Sequence, residues 1–272
     1  MNGIIKDCSD PRLPEVIERS WYEFFKVWGS TPYGEVYEDN YLKRVNLNVS
    51  QLHHGVFLAK LTPENMAEKI DENIAYYNKQ ELPFTWRTGP TMRPSDLGQH
   101  LLAHGLTYSS SSPGMAVELD EMNEDLQMPE NLTIKLVEDE ESLRDYMGVC
   151  CPTFGVGEFI DHWVDMETSI GFDKSLPRRN YVGYVNGRPV ANSHLLLTCG
   201  VAGIFCVATL PEARRKGIGT ALTIASLREA RDMGYKVGVL QSSRMGLGVY
   251  QRIGFKEYCT IKEYRWQPET PS

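Results

Sequence analysis

The segment 214–222, RRKGIGTAL, places three cationic side chains and two glycines before an apolar, alanine-rich run. The spacing of Ile218, Ala221 and Leu222 predicts a helix that begins beside the glycines. A helix N-terminus leaves backbone N–H groups unpaired, and its dipole favours an anion. Glycines let the backbone approach a phosphate closely, and cations add charge-assisted contacts. The segment therefore predicts a phosphate or diphosphate site.

Other chemistry-bearing motifs fit less well. A P-loop needs Lys-Ser or Lys-Thr after its second glycine, and the segment has neither. A dinucleotide-binding loop needs a third glycine, but Leu222 stands at that position and is too large for close helix–strand packing. His100 and His104 are spaced as in a zinc-protease helix, yet Leu101 replaces the glutamate and no third ligand is apparent. No metal site is predicted.

A third pattern fits segment 214–219, which resembles the R/Q-x-x-G-x-G/A motif of the GNAT acyltransferases. Its surroundings, VATLPEARRKGIGTAL, resemble that family's strand, loop and diphosphate-binding helix. Downstream, SSRMGLGVYQRIGF resembles the second family signature, a helix that carries a tyrosine and ends in a Gly-Phe step. Two signatures in the expected order extend the resemblance over residues 132–266.

The resemblance implies a mixed α/β fold with a V-shaped sheet flanked by helices, and acetyl-CoA as the acyl donor within the opening. Backbone groups near Val207 and Thr209 would pair with the pantetheine arm, amides of residues 215–220 would hold the diphosphate, and Ser243 would touch the donor. The residues that the resemblance assigns to acetyl-CoA are Val207, Thr209, Arg214, Arg215, Lys216, Gly217, Ile218, Gly219, Thr220 and Ser243.

Catalysis by such an enzyme is direct attack of an amine on the thioester, and the family pattern makes Tyr250 the general acid that protonates the departing thiolate. The general base stays open. The strand VAGIFCVATL has no acid, whereas many family members carry a glutamate there. His194 is the candidate base, because a histidine near the sheet centre could titrate near neutrality. The alternatives are Glu158, Asp161, His162, a water chain, or an amine that arrives neutral.

The chain elements that position these residues divide at an acidic stretch. Residues 118–133 hold six acids and no base, which is typical of a linker. We expect an N-terminal domain at 1–120, a linker at 121–131 and the acyltransferase domain at 132–272. With Gly105 placed over Gly254, the N-terminal half shows a weak internal repeat, so two tandem GNAT-like domains are predicted, the first degenerate and shaping the acceptor cleft. Chance similarity of two amphipathic turns is the alternative.

Composition narrows the partners. The formal net charge of −8 and a pI near 5.4 disfavour nucleic acid. Neither a secretory signal nor an apolar stretch long enough for a bilayer is present, and six cysteines without a C-x-x-C pair indicate free thiols, so a cytoplasmic protein without membrane contact is expected. The predicted acceptor is a small-molecule amine. The alternatives are a non-catalytic acyl-CoA sensor and transfer to a protein or peptide amine; the oligomeric state is not predicted.

Overall fold

The computed structural model describes residues 3–48, 54–127 and 129–268 of the 272-residue chain. Its helices are α1 (Leu13–Gly29), α2 (Met66–Asn78), α3 (Leu97–Ala103), α4 (Glu140–Thr153), α5 (Ile160–Ile170), α6 (Ile218–Asp232) and α7 (Leu247–Ile253). Its strands are β1 (Glu35–Glu38), β2 (Lys43–Asn46), β3 (Gly55–Phe57), β4 (Phe84–Thr88), β5 (Thr107–Glu118), β6 (Leu132–Leu136), β7 (Arg178–Val185), β8 (Arg188–Thr198), β9 (Val201–Thr209), β10 (Val237–Gln241) and β11 (Lys256–Trp266). Within the described ranges, no helix is both long and apolar enough to cross a membrane.

The chain forms two compact units. Unit 1 comprises Met1–Ser20 and Gly114–Tyr258, and unit 2 comprises Trp21–Pro113 and Cys259–Ser272. These units do not coincide with the linear division at 121–131 that composition suggests. The reason is that β5 and β11 each contribute residues to both units, so neither unit is one continuous stretch of chain.

Unit 1 is a mixed sheet with the strand order β5-β10-β9-β8-β7-β6. Strands β6 to β9 pair antiparallel, whereas β10 pairs parallel to β9 because α6 carries the chain between them. The predicted Asn186-Gly187 turn joins β7 to β8, and both of its residues have positive φ, as a two-residue hairpin requires. Apolar side chains of α6, among them Leu222 and Leu227, are fully buried in the core of this unit.

The acidic segment after β5 is docked on unit 1 rather than extended as a free linker. Glu124 accepts a hydrogen bond of 2.6 Å from Arg231 Nη1 and a second, shorter one from Arg228 Nε, both on α6. Arg228 and Arg231 hold the pKa of the Glu124 carboxyl below its ordinary value, against the opposing effect of burial. The negative charges of this segment are therefore partly neutralised by the helix that follows the cationic turn.

Unit 2 contains the strand order β1-β2-β3-β4-β11-β5. Here too, a parallel pair of strands lies between antiparallel ones: β3 pairs parallel to β4, with Gly55 opposite Thr85 and Val56 opposite Trp86, and α2 connects the two strands. On either side, β2 pairs antiparallel to β3 and β11 antiparallel to β4. Trp86, Tyr77 and Ile70 are fully buried in a separate apolar core.

Candidate functional site

A cleft opens in unit 1 where β9 and β10 separate. Their parallel pairing joins Ala202 to Gly238 and Gly203 to Val239, and both strands then continue beyond the last pair. The cleft at this point has a volume of about 790 Å³, within the range of small-molecule sites. Its lining comprises Thr153, Val207, Ala208, Thr209, Pro211, Ala213, Arg214, Arg215, Gly217, Ile218, Gly219, Thr220, Ser243, Met245, Gly246, Gly248, Val249, Tyr250 and Arg252.

One wall of the cleft is the turn that begins α6. Arg215 and Gly217 both have left-handed backbones, with φ of 61° and 78°. No side chain caps the helix, and the first bond across this turn runs from Ala221 N to Gly217 O at 3.0 Å. The amide groups ahead of Ala221 thus lack the i−4 partner that later turns have. The turn offers these donors, together with the helix dipole, to an anion in the cleft.

The two glycines of the turn serve different needs. A β-carbon built at Gly217 would lie 2.6 Å from the carbonyl oxygen of Gln127. Glycine at this position therefore allows the acidic segment to pass close to the turn, and it also allows the positive φ. A β-carbon at Gly219 would meet only ordinary contacts, with Thr209 Oγ1 at 3.5 Å and Val207 Cγ1 at 3.8 Å. At Gly219 the protein itself leaves room, and the missing side chain keeps the cleft open.

The ionisable side chains of the lining are cationic apart from tyrosine. Arg214, Arg215 and Arg252 line the cleft, and among the residues that the structure describes the lining includes no aspartate, glutamate or histidine. Arg214 Nε also donates to Thr209 O at 2.9 Å, which ties the turn to the end of β9. In a chain with a net charge of −8, this concentration of positive charge at a helix N-terminus favours a polyphosphate ligand.

Tyr250 lines the same cleft from α7. Its ring packs edge-on against Phe255, with 5.8 Å between the ring centroids, and its Cε2 atom lies against Gly246, where a β-carbon would be only 2.8 Å away. Burial raises the pKa of Tyr250 to about 12. The phenol therefore carries its proton throughout the neutral and mildly alkaline range, which is the form a general acid needs.

The candidate base does not line the cleft. His194 is 2% exposed, and its Nδ1 atom lies 2.6 Å from Asn180 Oδ1. Burial, with a further contribution from the nearby Arg178, lowers the pKa of His194 to about 3, so the ring is neutral at physiological pH but a weak base. The alternatives Glu158, Asp161 and His162 also lie outside the lining, and Asp161 Oδ1 pairs with Arg144 Nη1 at 2.9 Å.

Most of the residues assigned to the acyl donor from sequence lie together in the cleft. Lys216 does not: its Nζ donates to Glu212 O at 3.1 Å, away from the lining. Ser243 lines the cleft, but its Oγ accepts the Gly246 amide at 3.1 Å and so also shapes the loop before α7. The structure adds two residues to the predicted lining, Arg252 and Thr153. Arg252 stands two residues after Tyr250 in the second signature and could have been predicted from it, whereas no motif marks Thr153.

The two spaced histidines, His100 within α3 and His104 just after its last residue, lie beside different carboxylates. His100 Nε2 lies 3.5 Å from Asp96, and His104 Nδ1 lies 2.8 Å from Asp71. In residues 3–48, 54–127 and 129–268, no group of three or more histidine, cysteine or acidic side chains is arranged to hold a metal ion.

One family profile covers the part of the chain that holds most of the cleft lining. Residues 177–257, which include β7 to α7, match the family profile described as "Acetyltransferase (GNAT) domain". No protein of curated function matches the sequence.

Solved structures extend the likeness to the whole chain. A "GCN5-related N-acetyltransferase from Kribbella flavida" superposes with a TM-score of 0.70 at 16% identity, covering 94% of this chain and 96% of the other. A tandem GNAT protein from the clavulanic acid biosynthesis pathway superposes with a TM-score of 0.61 at 12% identity over 99% and 98% of the two chains. A "GCN5-related N-Acetyltransferase from Sphaerobacter thermophilus" superposes with a TM-score of 0.60 at 17% identity, covering 86% of this chain and 76% of the other. The chain has a mixed α/β, tandem GNAT-like fold, and its N-terminal half shares it.

Proposed function

We propose that this chain, whose residues 177–257 match the GNAT acetyltransferase domain family, transfers an acetyl group from acetyl-CoA to the amine of a small molecule. The observation that carries the proposal is the uncapped N-terminus of α6, which opens into a cleft whose charged side chains are all arginines. A coenzyme A diphosphate supplies the negative charge that this arrangement lacks.

The shape of the cleft suits the rest of the donor. The edge of β9 at Val207 and Thr209 faces the cleft beyond the point where pairing with β10 ends. An extended pantetheine arm carries amide groups and can pair with such an edge as an added strand does. Bound in this way, with its diphosphate on the α6 turn, the donor extends along β9 toward the α7 side of the cleft, where Tyr250 lies.

The proposed reaction uses Tyr250 once. The amine nitrogen attacks the thioester carbonyl, the N–C bond forms, and the C–S bond breaks as the tetrahedral intermediate collapses. The departing thiolate takes the phenolic proton of Tyr250, which is in place at neutral pH. The tyrosine is then reprotonated from solvent.

The proton of the attacking amine leaves without a carboxylate or histidine in the lining to receive it. We therefore propose that the free amine arrives neutral and that, once the N–C bond has formed, water rather than the buried His194 takes the proton that the nitrogen must lose. An acceptor that must arrive neutral gives a rate that rises with pH, and Tyr250 imposes no alkaline decline below its own pKa of about 12.

The absence of an acid from the lining also favours a second candidate, an acyl-CoA-binding protein without catalysis. The experiment that separates the two measures acetyl-CoA binding by calorimetry and thiol release over a panel of small amines and peptides. Transfer predicts binding and acceptor-dependent thiol. Binding without acceptor-dependent thiol supports the sensor instead. Faster release with peptides than with free amines places the acceptor on proteins, and no binding refutes all three.

A further inference from the structure

Strand β9 carries a bulge at the point where it enters the cleft. On one side of the bulge His194 pairs with Phe205, and on the other Asn192 pairs with Ala208, so Cys206 and Val207 together face the single residue Ser193. Cys206 has a φ of 48°, a left-handed conformation that costs a non-glycine residue about 1–2 kcal/mol. A strained residue in a strand persists only where neighbouring groups hold it.

The side chain of Asn192 bonds to the strained residue. Asn192 is fully buried, and its Nδ2 donates to the carbonyl oxygen of Cys206 at 2.6 Å. This bond links β8 to the bulged residue through a side chain, so it does not depend on which residues of the two strands pair on either side of the bulge. We propose that Asn192 is a positioning residue for the acyl donor: it fixes the bulge that directs the backbone of Val207 and Thr209 into the cleft.

This inference rests on the proposed function, because it assigns Asn192 a role toward the pantetheine arm. A one-residue bulge changes which side chains and amides of the following segment face each side of the sheet. Without the Asn192 bond, regular pairing of β8 and β9 would relieve the strain at Cys206 and turn the last residues of β9 by one position. The diphosphate seat on α6 would be unaffected, since its donors come from another element.

The test compares two ligands on one variant. Asn192→Leu removes the donor at similar side-chain size. Calorimetry then measures coenzyme A and adenosine 3′-phosphate 5′-diphosphate, the coenzyme A fragment that keeps the diphosphate but lacks pantetheine. We expect the variant to bind coenzyme A at least tenfold more weakly than the wild type and the fragment within twofold of it. Asn192→Val, which has no donor and a side chain that suits a strand, replaces the leucine variant if that one does not fold.

Ser193→Ala is the matched control. Ser193 is the residue of β8 opposite the bulge and is equally buried, but its Oγ lies 2.7 Å from Ser226 Oγ on α6, so its side chain, unlike that of Asn192, bonds away from the bulged residue. Its loss removes one buried hydrogen bond and should leave the affinity for both ligands unchanged. Equal weakening of both ligands in the Asn192 variants, or no weakening of coenzyme A, overturns the positioning role. A wild-type protein that binds neither ligand refutes the proposed function instead.

Discussion

The two units contain the same strand–helix–strand arrangement with different outcomes at the strand edge. In unit 1, Gly203 and Val239 are the last parallel pair, and the cleft follows. In unit 2, Val56 and Trp86 form the corresponding pair. There the chain after β4 returns to the edge of the preceding segment: Arg93 N donates to Ala59 O at 3.0 Å, and Leu61 N donates to Arg93 O at 2.9 Å.

The edge groups that face an open cleft in unit 1 are thus satisfied by the protein itself in unit 2. The turn before the helix differs as well. Unit 1 has Gly217 and Gly219 with two adjacent arginines, whereas no glycine lies between Phe57 and Met66, and Glu64 stands close to the start of α2. An acidic turn without glycine lacks both the close approach and the charge that a diphosphate requires.

The second signature shows the same contrast. The helix end is conserved in geometry between the units, since Phe255 N donates to Tyr250 O at 3.0 Å and Leu106 N donates to Leu101 O at 3.1 Å. Leu101, fully buried, therefore occupies the position of Tyr250. The same arrangement lines the proposed donor site in one unit and packs an apolar core in the other, which shows that the fold alone does not specify the activity.

The largest effect that tests this contrast is expected at the tyrosine. Tyr250→Phe should lower kcat by about 10²- to 10⁴-fold, the contribution of a general acid, with nearly unchanged affinity for acetyl-CoA. Steady-state thiol release and calorimetry measure the two quantities. Tyr264→Phe in unit 2 is the control, because burial also raises the pKa of that phenol. Unaltered turnover in Tyr250→Phe, with chemistry rate-limiting, removes this residue from the mechanism.

A side chain at Gly219 should block the donor without unfolding the protein. Since a β-carbon there meets only ordinary contacts, Gly219→Val should change thermal stability little and weaken coenzyme A binding about 100-fold, equivalent to about 2.7 kcal/mol. The matched control is Ala67→Val, the second residue of α2 in unit 2, which should leave binding unchanged. Equal affinities of the two variants would mean that the α6 turn does not contact the donor.

Some features of the fold and of the cleft could be predicted from the sequence, and others could not. The α6 turn and the Asn186-Gly187 hairpin follow from neighbouring residues, and the start of α6 at Ile218 was predictable for that reason. The contact of Gly217 with Gln127, the bond from Asn192 to Cys206 and the closure of the unit 2 edge by Arg93 join segments distant in sequence. No local sequence pattern predicts these three contacts, and they determine which of the two turns faces an open cleft.

Burial of His194 was unpredictable for the same reason, and among the described residues of unit 2 His54 is buried in the same way. Burial lowers the pKa of His54 to about 4 and that of His194 to about 3, each from 6.5. The unfolded chain therefore binds more protons below pH 6.5, and stability is lost as the pH falls from 6.5 toward these values. Each histidine should contribute up to about 1.4 kcal/mol per pH unit to the slope.

Urea unfolding at several pH values between 7 and 4.5 measures this slope. His54→Asn and His194→Asn should each reduce it by the share of one proton, and the double variant by both. A variant that keeps the wild-type slope would show that its histidine is protonated in the folded state, in conflict with its burial.

The smallest expected effect is a factor of two in the number of coenzyme A molecules that one chain binds. If both units kept a working donor site, calorimetry with coenzyme A would give two per chain. The Arg93 pairing closes the strand edge of unit 2, so we expect one, and Gly219→Val should weaken that single binding event rather than leave a second one intact at wild-type affinity. Because these bonds come from backbone atoms, Arg93→Ala should keep the stoichiometry at one. A stoichiometry of two in the wild type would mean that the ligand displaces segment 91–93 from the strand edge. That result would contradict the difference between the two units.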